Sequence, residues 1–393
     1  MKDRSQFWRG ILLGALIMLC VVSVLGGVRT FVPQLSGLAK GDGRVEDKLE
    51  LLRQMLSQNY LREDELDEAA MVERAYAGYV DALGDPYTAY YDEEQTQAML
   101  ESFSGEYSGI GAGLNQNLET RVITITKVYE GQPADEAGMK VGDILYKVDE
   151  REITDEDLSE VVTWVKGKEG TTVDLYVLRD GEELKLTATR RKVEVQTVES
   201  EMKDGGIGYI LVTEFDNVTY EQFKNALETL EAQGMKGLVI DLRSNPGGGL
   251  DTVVDMLRLI LPEGRVVSME DKNGKETVYD CDGRHEFTKP LVVLVNENSA
   301  SASEIFAGAV KDYGIGKIVG MTTYGKGVVQ KIFYLQDGSS IKITISEYFT
   351  PKKNSINGIG VVPDLEVEYV RDEENPEADN QLDVALEEVR REL

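Results

Sequence analysis

The spacing of apolar residues predicts helices in the N-terminal part of the chain. Leu49, Leu52 and Met55 recur at helical intervals, and a second run of this kind ends where Gly84-Asp85-Pro86 interrupts it. A third helix is predicted over residues 93–103. We therefore expect residues 31–104 to form a helical region, used either for ordinary packing or as an arm that pairs two copies of the chain.

Residues 105–190 follow a different pattern, which is typical of a small β domain. Short apolar runs lie between Gly and Asp turns, and they predict strands over residues 121–128, 144–148 and 173–178. A helix is predicted over residues 155–166. Residues 191–206 resemble a connector to the next domain.

The next region alternates apolar strands with amphipathic helices, which is typical of an α/β fold with buried strands. The predicted strands are 208–212, 237–242, 290–295, 317–320, 329–334 and 341–348, and the predicted helices are 220–233, 250–261 and 302–313. After residue 370, an acidic linker leads to a terminal helix within 371–393, whose apolar stripe is expected to pair with a second copy of the chain. The stripe consists of Leu382, Ala385, Leu386 and Val389.

The N-terminus predicts a membrane anchor. Residues 11–28 carry no charge, and a run of this length is just sufficient to cross a bilayer core of about 30 Å. Lys2, Arg4 and Arg9 precede the run, so the positive-inside rule keeps the N-terminus in the cytoplasm and exports the rest. A cleaved signal peptide is the alternative, although no A-x-A site follows. We expect residues 1–30 to anchor an extracytoplasmic protein in the cytoplasmic membrane.

Composition narrows the possible functions. The chain has 42 Lys and Arg residues against 71 Asp and Glu residues, a net charge of −29, which argues against binding nucleic acid or anionic lipid surfaces. One His and two Cys, with no CxxC pair, exclude most zinc sites of these ligands and a disulfide framework. The sequence therefore predicts no metal and no cofactor.

Residues 105–190 resemble a PDZ domain. The resemblance depends on the stretches 109–114, 133–139 and 141–145, of which the first is GIGAGL. A glycine-rich loop can turn backbone N–H groups toward a carboxylate, so Gly109, Ile110, Gly111 and Ala112 are the candidates for binding a peptide C-terminus. The alternative of a dinucleotide loop is disfavoured because no βαβ unit surrounds it.

Three further segments contain candidate chemistry. They are Ser299-Ala300-Ser301-Ala302-Ser303-Glu304-Ile305, Gly325-Lys326-Gly327-Val328-Val329-Gln330, and the loop 241–249 with its run of three glycines. Taken singly, each has an ordinary interpretation: a serine capping a helix, an exposed lysine and a tight strand-to-helix turn. The alternatives are a nucleophile, a desolvated base and an oxyanion hole.

Together, these segments resemble the carboxy-terminal processing proteases, also called tail-specific proteases, over about residues 45–370. The resemblance implies a multidomain α/β fold: a crotonase-like α/β serine protease core over 191–370 with an inserted PDZ domain. It also implies Ser301 as nucleophile, Lys326 as general base and Gln330 as the residue that orients the lysine. The backbone N–H of Ala302 and one from Gly247 or Gly248 would form the oxyanion hole.

Ser299 and Ser303 compete with Ser301 for the nucleophile role. A Ser–Lys dyad needs no His, and the single histidine, His285, lies in a polar stretch typical of a surface loop.

These observations predict a membrane-anchored, extracytoplasmic serine endopeptidase. Its PDZ domain would bind substrates with free, apolar C-termini, and the chain is expected to form a homodimer. A tethered PDZ scaffold and an acyl-CoA enzyme of crotonase type are the alternatives. The intact Ser301 and Lys326 weigh against the first, and the predicted export weighs against the second, because acyl-CoA substrates are cytosolic.

Overall fold

The computed structural model describes residues 45–372, 374–375 and 378–393. The predicted anchor over residues 11–28 and Cys20 lie outside this part of the chain. Within the described ranges, no helix combines the length and apolar character needed to cross a bilayer. Of the described residues, those from Val45 to Ala75 belong to one compact unit and Tyr76–Leu393 to a second.

Nine α-helices are described in these ranges: α1 Val45–Asn59, α2 Glu68–Asp81, α3 Glu93–Ser104, α4 Pro133–Glu136, α5 Leu158–Val165, α6 Thr219–Ala232, α7 Leu250–Arg258, α8 Ala302–Tyr313 and α9 Asn380–Glu392. A 3₁₀ turn occupies Glu63–Glu65. The predicted N-terminal helices are confirmed. In α1, Leu49, Leu52 and Met55 remain largely exposed, and Arg53 pairs with Glu50 and Glu68.

The described strands are β1 Ala89–Tyr91, β2 Glu106–Gly109, β3 Ala112–Gln116, β4 Ile123–Val128, β5 Ile144–Val148, β6 Arg151–Glu152, β7 Thr172–Arg179, β8 Glu182–Thr189, β9 Arg191–Glu194, β10 Val198–Lys203, β11 Ile207–Val212, β12 Gly237–Asp241, β13 Gly264–Asp271, β14 Glu276–Cys281, β15 Leu291–Val295, β16 Lys317–Gly320, β17 Val328–Tyr334, β18 Ser340–Phe349 and β19 Leu365–Glu366.

The small β domain has its own antiparallel sheet and core. Its strand order is β3-β4-β5-β7-β8, with β6 paired to β5, so β3 is an edge strand. The helix α5 begins three residues later than the predicted position 155. The carboxylate of Glu156 explains the delay, because it accepts the backbone N–H groups of Thr154 and Asp155 and stabilises a turn there.

The predicted connector over residues 191–206 is wrong. This segment contains β9, which pairs with β2, and β10, which pairs antiparallel with β11 at the edge of the larger sheet. Both strands contain few buried apolar residues. Val193 and Val198 are buried, while Glu199, Ser200 and Glu201 are exposed. A polar edge strand gives no apolar alternation to detect.

The larger sheet has the order β10-β11-β12-β15-β16-β19, and its strands from β11 onward are parallel. The helices α6, α7 and α8 contribute to the core on one face, and α9 packs on the other. Ala385, Leu386 and Val389 of α9 are buried in that second core. The predicted pairing of this apolar stripe with another copy is therefore wrong, because the stripe already covers the sheet of its own chain.

A further sheet, in the order β1-β18-β13-β14 with β17 paired to β18, completes the fold. The strands β13, β14 and β1 are not predicted by the sequence pattern. The pairing of β1 with β18 brings the segment around Asp85 next to β18, which also pairs with β17, the strand that follows the Lys326 loop.

Candidate active site

Three loops that carry the predicted chemistry follow three neighbouring parallel strands. The glycine loop, residues 242–249, follows β12; the serine loop, residues 296–301, follows β15; and the lysine loop, residues 321–327, follows β16. The carboxyl ends of parallel strands meet at one edge of a sheet, where α/β proteins place their ligands. Ser301, Lys326, Gln330 and Gly247 all line one cavity of about 410 Å³ at this edge.

Ser301 stands at the start of α8 in a strained conformation. Its φ of 55° and ψ of −110° are rare for a residue with a side chain, and strain of this kind is frequently stored at functional sites. The competing serines are engaged elsewhere. Ser299 Oγ donates to the Leu242 carbonyl at 2.7 Å, and Ser303 Oγ donates to the Asn245 carbonyl at 2.9 Å. Both are fully buried, so only Ser301 of the three faces the cavity.

The glycine loop lies directly against Ser301. A Cβ added to Gly247 would be 2.8 Å from Ser301 Cβ, and one added to Gly248 would be 2.5 Å from the Phe215 carbonyl oxygen. The φ angles of 106° and 146° at these positions also favour glycine. The Gly247 N–H donates to Asn245 Oδ1 at 2.8 Å. Because the Gly247 N–H is already engaged in this bond, the Gly248 N–H is favoured as the second donor of the predicted oxyanion hole, beside the Ala302 N–H.

The ammonium group of Lys326 lies over the ring of Tyr87, 4.8 Å from its centroid. Burial lowers the pKa of Lys326, and the positive charge of Lys342 lowers it further, against the opposing effects of Glu304 and Asp85. A lowered pKa increases the fraction of neutral amine, which is the form that accepts a proton. No hydrogen bond joins Lys326 to Ser301 in this arrangement.

Gln330 also lies in the cavity, but its amide contacts a different residue from the one predicted. Its Nε2 donates to Thr344 Oγ1 at 3.3 Å, and it makes no hydrogen bond to Lys326. Thr344 belongs to β18 and contacts the Asp85 segment, where its backbone N–H donates to Thr88 Oγ1. The role of Gln330 in orienting the lysine therefore remains a prediction.

A buried carboxylate ties the serine loop to the lysine loop. Glu304 is fully buried, and its Oε2 accepts the backbone N–H groups of Ser301 at 2.8 Å and Lys326 at 2.9 Å. Its Oε1 accepts the Thr323 hydroxyl and the Gly325 N–H, each at 2.6 Å. Bonds to a buried charged acceptor are stronger than neutral ones, so Glu304 fixes the backbone of both predicted catalytic residues.

Substitution Glu304→Gln is expected to reduce kcat by roughly 10²-fold, with a smaller change in KM. The amide oxygen can replace one carboxylate oxygen, but in either orientation its NH₂ group faces at least one backbone N–H donor, and charge-assisted bonds of about 1.5–3 kcal/mol each are lost. Steady-state kinetics and thermal unfolding check this expectation, with the exposed Glu347→Gln as matched control. A folded Glu304→Gln variant with unchanged kcat would contradict it.

Substitution Lys342→Met is expected to move the rising limb of kcat/KM against pH to higher pH. In its predicted role as base, Lys326 accepts a proton only when neutral, so the rate is expected to rise with pH through its pKa. Removing the Lys342 charge removes one cause of the lowered pKa, so that pKa rises and the rate at neutral pH falls. Lys331→Met, on the exposed side of β17, is the control. A limb that stays in place or moves to lower pH would rule out this coupling.

Comparisons with known proteins agree with the geometry. The Peptidase family S41 model matches residues 206–367, and the PDZ domain model matches residues 108–189. The "Probable CtpA-like serine protease" of Staphylococcus aureus (strain MRSA252) is 37% identical over 362 residues, covering 91% of this chain and 72% of that protein. The "Carboxy-terminal processing protease CtpA" of Bacillus subtilis (strain 168) is 33% identical over 370 residues, covering 94% and 78%. The chain belongs to peptidase family S41.

This S41 protein is thus a serine peptidase with a PDZ domain. A solved structure, the "Putative S41 protease" from Bacteroides fragilis NCTC 9343, shares the fold with a TM-score of 0.50 and 16% identity, covering 80% of this chain and 89% of that one. Several residues that surround the site of this S41 peptidase have no functional prediction from the sequence. In the sequence, Asp85 belongs only to the predicted helix stop and Glu304 only to a motif, and Tyr87 has no predicted role.

The position of Asp85 explains why it matters to the site. Burial opposes ionisation, but hydrogen bonds from Thr88 and Thr344 and the charge of Lys326 hold the pKa of Asp85 below its usual range. Asp85 is therefore an anion facing the lysine. The sequence signal is the run Asp85-Pro86-Tyr87-Thr88. A turn after the helix would need only the Gly and Pro residues, and it does not account for the aromatic and hydroxyl side chains that follow.

The remaining predicted residues lie away from the Ser301 cavity. Strand β2 ends at Gly109, strand β3 begins at Ala112, and Ile110 between them is buried. The candidate carboxylate loop of the PDZ domain therefore joins β2, which pairs with β9, to the edge strand β3. His285 is exposed and lines a separate surface groove. The described residues contain no group of three or more His, Cys, Asp or Glu side chains arranged to hold a metal ion.

Proposed function

We propose that this S41 peptidase is a membrane-anchored, extracytoplasmic endopeptidase that binds substrate C-termini through its PDZ domain. In this proposal, Ser301 and Lys326 hydrolyse the peptide bond through an acyl-enzyme. The observation that carries the proposal is the single cavity lined by Ser301, by the glycine loop and by a lysine of lowered pKa.

The reaction assigns a step to each group. Neutral Lys326 takes the Ser301 proton as Oγ attacks the scissile carbonyl carbon. The resulting oxyanion accepts the N–H groups of Ala302 and Gly248, and such a donor is worth about 3–4 kcal/mol. The protonated lysine then gives its proton to the leaving amine as the C–N bond breaks, and water, deprotonated by Lys326, releases the acyl group.

The lysine must move before this sequence begins. Its amine is attracted to the Tyr87 ring and to the Asp85 carboxylate, and it is not bonded to Ser301. Rotation of the side chain away from Tyr87 would bring it toward Ser301, and in this proposal Gln330 then accepts a hydrogen bond from it. The described arrangement is therefore a resting state in this proposal.

The PDZ domain supplies the recognition of the substrate. The edge strand β3 has one unpaired side facing α5, and Gln116 at its far end bonds to the backbone of residues 156 and 158 at the helix start. A peptide can add to such an edge as a further strand, with its C-terminal carboxylate at Gly109–Ala112. Apolar final residues would then pack between β3 and α5.

Two peptides that differ only at the C-terminus test this function. An internally quenched peptide with apolar final residues and a free carboxylate is compared with the same peptide ended by an amide. We expect the free acid to be cleaved internally with the higher kcat/KM. Equal rates for acid and amide would overturn recognition of the C-terminus, and the absence of cleavage of both would overturn the endopeptidase assignment.

One ion pair joins the PDZ domain to the wall of the cavity. Lys166, at the end of α5, pairs with Glu101 of α3 at 2.7 Å, and its ammonium lies 5.0 Å from the centroid of the Tyr107 ring. Ser102 and Phe103, which follow Glu101, line the Ser301 cavity. We propose that a bound carboxylate competes with Glu101 for Lys166 and so signals occupancy to the site.

Substitution Lys166→Met is expected to reduce the ratio of acid to amide cleavage toward one. The variant keeps the aliphatic stem but removes the charge that senses the carboxylate. The matched control is Lys168→Met, because Lys168 is exposed and outside the pair. A ratio unchanged in Lys166→Met, or equally reduced in Lys168→Met, would show that this ion pair does not transmit binding.

The anchor and the homodimer are separate parts of the proposal. Removal of residues 1–30 should release the enzyme from the membrane fraction into solution.

The exposed apolar face of α1, with Leu49, Leu52 and Met55, is the surface proposed for pairing two copies. A monomer mass by light scattering at micromolar concentration would exclude the dimer.

A further inference from the structure

Two acidic residues lie in the same cavity as Ser301. Glu214 and Asp216 follow β11, and both line the cavity beside the glycine loop. Asp216 is only 6% exposed, whereas Glu214 is exposed. The cavity thus has a carboxylate buried in its wall and a second one at its opening.

The backbone between these residues is fixed to the glycine loop. The Phe215 N–H donates to the Gly247 carbonyl at 2.9 Å, and the Gly249 N–H donates to the Phe215 carbonyl at 2.7 Å. Since Gly247 lies against Ser301, the acidic pair is held within a few residues of the predicted oxyanion donors. A substrate chain bound across Ser301 would therefore pass the two carboxylates.

The acidic pair has no cation of its own. Among the described residues, no Lys, Arg or His forms an ion pair with Glu214 or Asp216, and no N–H group donates to the Asp216 carboxylate. Burial, the charge of Glu214 and a hydrogen bond with the Glu214 side chain raise the pKa of Asp216 to about 6. Lys326 and Lys342 also line the cavity, but neither is within ion-pair distance of these carboxylates. A buried carboxylate whose side-chain partner is another carboxylate is costly to ionise, and a ligand that supplies the opposite charge reduces that cost.

We propose that Glu214 and Asp216 form a subsite for the side chain of a substrate Lys or Arg close to the scissile bond. The proposal rests on the proposed catalytic role of Ser301 and extends it to substrate selection. An ammonium or guanidinium group entering the cavity would donate to both carboxylates, while an acidic substrate residue would be repelled. Selection at this subsite is independent of the apolar C-terminus bound by the PDZ domain.

A positional scan tests the subsite. N-acetylated, internally quenched peptides with the same apolar C-terminus carry one Lys, norleucine or Glu at successive positions around the cleaved bond. For the wild-type enzyme, one position is expected to give a Lys-to-norleucine ratio of kcat/KM of about tenfold or more, with Glu below norleucine. In Glu214→Gln/Asp216→Asn, this ratio should fall close to one. The matched double control, Asp204→Asn/Glu228→Gln, removes the same charge from exposed positions outside the cavity.

A second variant keeps the test decisive if the double variant does not fold. Glu214 is exposed, so Glu214→Arg should fold, and it is expected to reverse the preference from Lys toward Glu at that position. A wild-type ratio near one at every position, or a Lys preference retained in both variants, would overturn the subsite.

Binding to Ser301→Ala separates this proposal from the catalytic one. Tighter binding of the Lys peptide than of the norleucine peptide, lost in Ser301→Ala/Glu214→Gln/Asp216→Asn, supports the subsite even if the wild type cleaves neither peptide. The catalytic assignment alone would then fail. Equal binding of the two peptides, together with equal cleavage, overturns the subsite and leaves the catalytic role intact.

Discussion

Replacing Ser301 by Ala is expected to lower kcat/KM for peptide hydrolysis by about 10⁴-fold or more, since loss of a serine nucleophile removes the covalent route altogether. Ser301 is the serine of its loop that faces the cavity, beside the glycine loop and at the N-terminus of α8. Substrate binding should be largely retained, because the PDZ groove and the cavity walls are unchanged. Initial rates and peptide affinity, measured on the same preparation, check both statements.

The matched control for this prediction is Ser303→Ala, two residues further along. It removes one buried hydrogen bond to the Asn245 carbonyl, which costs about 1 kcal/mol of folding free energy. We expect it to keep activity within about tenfold of the wild type. Loss of activity in Ser303→Ala with activity retained in Ser301→Ala would exchange the roles of the two serines.

Replacing Lys326 by Met is expected to lower kcat by roughly 10³-fold at neutral pH, within the range for removal of a general base. Methionine preserves the unbranched apolar stem against Tyr87, so the loop should keep its conformation. The backbone N–H of residue 326 would still donate to Glu304, as in the wild type. The pH profile gives a second measure: the rising limb assigned to the lysine should disappear.

The control for this prediction is Lys331→Met, which removes an exposed lysine from the adjoining strand β17. The Lys331→Met variant should keep both the wild-type kcat and the rising limb of the pH profile. A Lys326→Met enzyme that retains the wild-type rate and pH profile would show that another group accepts the Ser301 proton.

The residues at the strand ends could be predicted from sequence because their signals are local. Small residues around Ser301 and the glycines at 247–249 stand directly between an apolar strand and an amphipathic helix. Apolar runs of buried parallel strands are also easy to recognise, and β15 and β16 were found with errors of at most one residue. Helix α8 was predicted with both of its observed ends.

Contacts between distant segments could not be predicted in this way. Asp85 and Tyr87 reach Lys326 only because β1 pairs with β18, and β1 is too short to give a periodic signal. Lys166 is a surface lysine by sequence, and only the packing of the PDZ domain brings it to Glu101. The C-terminal stripe was misassigned for the same reason: an amphipathic helix shows that it packs, but not on which surface.

The most direct test of the account is to locate the residue that becomes covalently modified in the active enzyme. The full chain is treated with a serine-directed phosphonylating reagent, and the adduct is mapped by mass spectrometry, alongside Lys326→Met. We predict one stoichiometric adduct on Ser301, formed much more slowly when Lys326 is replaced. An adduct on Ser299 or Ser303, or labelling of Ser301 at the same rate in Lys326→Met, would contradict the proposed Ser301–Lys326 mechanism.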